Sequence, residues 1–243
     1  MTVIAIIALA YLAILVAVGA NQRRLIFFPT HDGIDTPLGP WVVGGRIIGY
    51  CRVVNNPKTA WLMTHGNAGQ ASHRAYVLGH MSPADSLYVL EYPGYGLREG
   101  RPSKESMDSA AAEAYQILRK DLPRTPVGLI GESIGSGPAS FLASAQVPPD
   151  KIVLVVPFDT FASVASEHMP FLPVRALLKD NWDNIAALRG YSGPIEIYGA
   201  VDDRIIPYEH AKRLAAALRN ARFVTIDGGH NDWSSSELVR IER

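Results

Sequence analysis

The chain has 243 residues, 48% hydrophobic and 19% charged, which is enough apolar material to bury one large core. Twenty-three basic residues balance 23 acidic ones without forming a basic stripe, so nucleic acid is not an expected partner. The single cysteine, Cys51, excludes an internal disulfide, and in the alternating run Ile47 to Val54 it reads as a buried strand position.

The first feature along the chain is Val3 to Ala20, an uncharged run interrupted only by Tyr11 and Gly19. Its length is just sufficient to span a bilayer. Val18-Gly19-Ala20 offers small residues for signal cleavage, but no Lys or Arg precedes the apolar run, so an uncleaved single-pass anchor over residues 1–22 is the preferred reading. A helix at the edge of a soluble domain would carry a polar face, and this run has none. Arg23 and Arg24 follow it, and the preference of positive charge for the cytoplasm places residues 23–243, a single domain, on that side.

Beyond Leu25, short apolar runs alternate with amphipathic segments, the pattern of a mostly parallel sheet covered by helices on both faces. Strands are expected at Arg46 to Val54, Ala60 to Thr64, Ser86 to Glu91, Pro126 to Ile130, Lys151 to Val156, Pro194 to Tyr198 and Ala221 to Ile226. Met107, Ala111, Ala114 and Leu118 recur at helical spacing after the N-cap Ser103. Pro207 suits the first turn of a later helix whose inward stripe is Ala211, Leu214, Ala215 and Leu218. The segment from Phe158 to Gly193 is too short for a separate cap domain. It is expected to supply one or two helices whose apolar side chains wall a pocket, a minimal cap.

Gly131-Glu132-Ser133-Ile134-Gly135 follows the apolar strand and opens a small-residue stretch able to start a helix. A strand, a sharp turn and a helix make a nucleophile elbow, in which flanking glycines permit the strained backbone that projects the serine hydroxyl. Ser133 is the candidate nucleophile. A serine hydroxyl needs a general base, itself oriented by an acid. Of seven histidines, only His210 and His230 follow the acid candidates. His210 falls inside the amphipathic helix, whereas His230 follows the last strand on a glycine turn, so His230 is the expected base.

The acid lies within Gly199 to Pro207. Counting back from Pro207 selects Asp203, and counting forward from Gly199 selects Asp202. The turn into the helix is the tighter constraint, so Asp203 is preferred with Asp202 as its alternative. Asp159 is another possible carboxylate, and Asp183 reads as a helix start. Thr64-His65-Gly66-Asn67-Ala68-Gly69 follows a strand and suits an oxyanion loop, with the amides of Asn67 and Ile134 as donors and His65 propping the loop by hydrogen bonds.

Together, Arg24 to Pro29, His65 to Gly69, Glu91 to Gly96, Gly131 to Gly135, Asp203 to Pro207 and Gly229 to Asp232 resemble the α/β-hydrolase superfamily. The resemblance covers nearly the whole chain and is nearest to small single-pass, membrane-anchored members of the serine peptidase and depalmitoylase branches. It implies an eight-stranded, mostly parallel sheet and serine hydrolase chemistry on an ester, thioester or amide, with no metal or cofactor. Substrates would be small molecules or acylated partners. A catalytically silent, membrane-tethered binding module on the same fold is the alternative. The doubled Asp202-Asp203 adds one residue to the usual spacing before the proline.

Overall fold

The computed structural model describes residues 2–33 and 35–243. Helix α1 (Thr2–Ile26) is apolar and exposed along its length, with only Gln22 buried. It continues past the expected boundary at residue 22, because Gln22 and Arg23 find hydrogen-bonding partners on the domain.

Strands β1 (Gly39–Val43) and β2 (Arg46–Arg52) form an antiparallel hairpin. Its turn is Gly44-Gly45, at φ 57° and 78°, the positive values that a two-residue hairpin loop requires. β3 (Ala60–Thr64) and β4 (Ser86–Leu90) follow, each buried on both faces. Helix α2 (Lys104–Asp121) starts at the expected N-cap, where Ser103 and Ser106 exchange side chain to backbone hydrogen bonds.

β5 (Val127–Glu132) runs two residues beyond the expected end and delivers the chain directly to Ser133. Helix α3 (Ser136–Phe141) and β6 (Lys151–Val155) come next. The connecting segment holds three short helices where one or two were expected: α4 (Phe161–His168), α5 (Val174–Leu177) and α6 (Asn184–Leu188). Pro170 and Pro173 divide the first two, and Asp183 caps the third by accepting from Ala186 N. β7 (Ile195–Ala200), α7 (Tyr208–Ala216) and β8 (Ala221–Ile226) complete the domain, with Pro207 just before α7.

The sheet has eight strands in the order β1-β2-β4-β3-β5-β6-β7-β8. The first two pairs, β1-β2 and β2-β4, are antiparallel and every later pair is parallel. One face packs on α2, α3 and α7 through Met107, Ala114, Ala139 and Leu214. The other is covered by a 3₁₀ run at Ala71–His80 and by the C-terminal segment, through Val77, Trp233 and Ile241. The carboxyl ends of β3, β5, β7 and β8 lie along one rim, where open α/β sheets place their sites.

Candidate active site

Ser133 stands directly after β5 with φ 53°, a left-handed value uncommon for a residue with a side chain. The turn is possible because the residues two positions away on each side, Gly131 and Gly135, are glycines. A Cβ on Gly135 would overlap the Thr64 carbonyl, and one on Gly131 would lie 2.8 Å from Ser136 Cα and Ala139 Cβ. Thr64 secures the turn, its hydroxyl donating to Gly135 O at 2.8 Å. Ser133 is only 7% exposed, yet it lines the apolar pocket described below, so its hydroxyl faces a cavity.

His230 bridges the other two. Its Nε2 is 2.8 Å from Ser133 Oγ, and its Nδ1 is 2.6 Å from Asp203 Oδ2. The histidine loop after β8 is closed by Asp232, whose side chain accepts from Gly229 N at 2.7 Å. Asp203 is buried, and its second oxygen accepts from Ile205 N and Ile206 N at 2.9 and 2.8 Å, so the turn into α7 fixes the carboxylate. Asp202 is exposed.

Asp159, after β6, belongs to a different cluster with His210 and Arg213 of α7. It accepts from His210 Nδ1 at 2.6 Å and from Arg213 Nε at 2.7 Å. Burial opposes its ionisation, but these hydrogen bonds and that of Thr160 N hold its carboxyl at about 2. His210 is fully buried within α7.

Asn67 follows β3 and lines the same pocket as Ser133 and Ile134. Its side chain holds the exit of α1, accepting from Phe28 N and Tyr95 OH and donating to Ile26 O. His65 props the loop, Nδ1 donating to Gly66 O at 2.7 Å.

Glu132 was not anticipated in a site role. Its carboxylate accepts from Gly66 N at 2.8 Å, Tyr76 OH at 2.7 Å and Trp233 Nε1 at 3.2 Å, with Arg74 at 3.8 Å. One buried side chain thus joins the loop of Asn67, the turn of Ser133 and the loop of His230. Burial alone would raise its pKa, but Arg74 and these donors outweigh that and hold it below the ordinary carboxylate range. The available signal was an acidic residue at the end of an apolar strand, a position that demands buried donors.

The pocket above Ser133 is a cavity of about 380 Å³, within the usual size of small-molecule sites. Phe161, Val164 and Leu172 line it from the connecting segment, as expected. Val18, Leu25 and Ile26 line it from α1, a contribution the sequence reading did not foresee. Among the described residues, no three His, Cys, Asp or Glu side chains are grouped to hold a metal ion.

The strand order, with a serine on the turn after β5, an aspartate after β7 and a histidine after β8, defines an α/β-hydrolase fold. The chain is 33% identical over 247 residues to the uncharacterized protein Rv2307c of Mycobacterium tuberculosis, covering 95% of this chain and 88% of that one. It is 30% identical over 224 residues to the lysophosphatidylserine lipase ABHD12 of Danio rerio, covering 81% of this chain and 59% of that protein. The esterase Pf2001 of Pyrococcus furiosus shares the fold, with a TM-score of 0.64 at 15% identity over 86% of this chain and 95% of that one. No protein-family model matches the chain. The chain belongs to the α/β-hydrolase superfamily.

Proposed function

We propose that the protein is a membrane-anchored serine hydrolase that cleaves an acyl ester, thioester or amide through an acyl-enzyme. The observation that carries this reading is the continuous hydrogen-bonded path from Asp203 through His230 to Ser133 Oγ, at the floor of an apolar pocket.

Ser133 Oγ attacks the acyl carbonyl carbon while His230 Nε2 takes its proton, and Asp203 holds the Nδ1–H and stabilises the resulting imidazolium. The carbonyl oxygen becomes an oxyanion that accepts from the amides of Asn67 and Ile134, each donor contributing on the order of 3 kcal/mol. Collapse breaks the bond to the leaving group, which receives the proton from His230. A water then attacks the acyl-serine by the same route, releasing the acid and restoring the hydroxyl.

Apolar walls favour an acyl chain as the recognised group. The relative named as a lysophosphatidylserine lipase favours a lipid ester among the three bond types. Residues 23–243 form the catalytic domain. Helix α1 is long and apolar enough to span the membrane, and Arg23 and Arg24 at its end favour a cytoplasmic domain. Steady-state hydrolysis of p-nitrophenyl esters by the full-length protein in detergent tests the proposal. Turnover that disappears in Ser133→Ala supports it. Absence of turnover across ester, thioester and amide panels would favour a silent binding module instead.

A further inference from the structure

Tyr11 is the single polar side chain in the apolar run of α1, and its hydroxyl donates to Phe171 O at 2.9 Å. Tyr11 lies eleven residues up the helix from Gln22, about 16 Å along the axis at 1.5 Å per residue. Gln22 is itself held to the domain, donating to Leu177 O and accepting from Lys179 N, while Arg23 pairs with Asp180 at 2.7 Å. The helix is therefore docked at two heights, and the loop Met169–Pro173 climbs beside its apolar portion.

We propose that this loop enters the same hydrocarbon layer as α1, so that the pocket opens sideways into the bilayer and receives its acyl chain from there. The proposal rests on the reading of α1 as a membrane span.

Three observations support it. Phe171 is 86% exposed and Met169 40%, side chains that water would not favour at a protruding tip and that acyl chains would. The loop backbone leaves few N–H groups for water to satisfy. Pro170 and Pro173 carry no N–H, Leu172 N donates to Met169 O, Val174 N donates to Leu172 O, and Phe171 O accepts from Tyr11. Finally, the pocket is bounded both by Ser133 and by Val18, which lies within the uncharged run of α1. The cavity thus continues from the serine to the depth of the hydrocarbon. Arg24 and Lys179 are exposed near the level of Gln22, where lipid headgroups would meet them.

The test uses full-length protein in phosphatidylcholine vesicles. Cys51→Ala removes the single native thiol, and a fluorophore is attached at Phe171→Cys, at Leu9→Cys in α1, or at Glu237→Cys on the exposed C-terminal segment. Lipids brominated along their chains are expected to quench the labels at 9 and 171 alike, and aqueous iodide to quench only the label at 237. Quenching of 171 by iodide, with 9 quenched by bromolipid, would overturn the inference while leaving the anchor intact. Labels at 9 and 171 both quenched by iodide would overturn the anchor reading together with it.

A second measurement reads substrate entry. Phe171→Asp is expected to slow hydrolysis of a long-chain ester embedded in vesicles by about tenfold or more, because a carboxylate opposes insertion. Hydrolysis of a short soluble ester should be unchanged, since Phe171 does not line the cavity. Equal rates on the embedded ester would refute entry from the bilayer. Loss of both activities, with fluorophosphonate labelling also lost, would refute the separation of the loop from the catalytic centre.

Discussion

Glu132 accepts a hydrogen bond from the Gly66 amide at 2.8 Å, so the residue before Ser133 grips the loop that carries Asn67. The same carboxylate holds Trp233, three residues after His230. Three of the four strand ends that form the site, those of β3, β5 and β8, are thus fixed to each other by a charge kept out of water, and its donors would be stranded without it.

Glu132→Leu is expected to destabilise the domain by about 3 kcal/mol, because Arg74 and three hydrogen-bond donors lose their buried partner. Urea denaturation checks the stability. For protein that remains folded, kcat on a soluble ester should fall more than KM rises. Unchanged stability and kcat would remove Glu132 from its positioning role.

The two neighbouring aspartates should separate cleanly by kinetics. Asp203→Asn leaves His230 without an acceptor for Nδ1–H and is expected to lower kcat by about 10⁴-fold, the scale seen when the acid of a serine triad is neutralised. Asp202 is exposed, and Asp202→Asn should stay within about threefold of wild type. The reverse ranking would transfer the role to Asp202.

Asp159 should matter for acid stability and not for chemistry. Its folded-state pKa, about 2, lies below its ordinary value of 3.8, so the stability it contributes is fully present above that ordinary value. That contribution declines as pH falls toward about 2, and it is on the order of 2 kcal/mol. Asp159→Asn should therefore lower stability at neutral pH and flatten the loss between about pH 4 and pH 2. Denaturation curves across that range measure it, and fluorophosphonate labelling of the variant should be retained. An undiminished acid dependence would contradict the assignment.

Gly135→Ala is expected to abolish activity with the rest of the chain intact. Its Cβ has no room beside the Thr64 carbonyl, which is backbone of the central strand β3 and cannot yield cheaply. Circular dichroism together with ester turnover checks this. Wild-type turnover would show that the elbow tolerates a wider turn.

Much of this architecture was legible because a parallel sheet buries its strands on both faces and so writes them as apolar runs. Ala60 to Thr64 and Lys151 to Val155 lie where the pattern places them. β1 escaped notice because it is an edge strand containing Gly39 and Pro40, and only the Gly44-Gly45 turn signalled a hairpin. β5 and α1 run past their expected ends at Ile130 and residue 22, and the polar residues there, Glu132, Gln22 and Arg23, do not stop them. Each is instead a continuing residue whose partners lie far away in the chain. Sequence spacing brought forward Ser133, Asp203 and His230, but it could not reveal that helix α1 walls their pocket, since that contact depends on how α1 docks.

The most direct measurement treats the full-length protein in detergent with a fluorophosphonate and locates the adduct by peptide mass spectrometry. A single modification on Ser133, absent from Ser133→Ala and strongly slowed in His230→Ala, is the predicted result. Equal labelling of the wild type and Ser133→Ala, or an adduct on a different side chain, would contradict a nucleophile activated by His230.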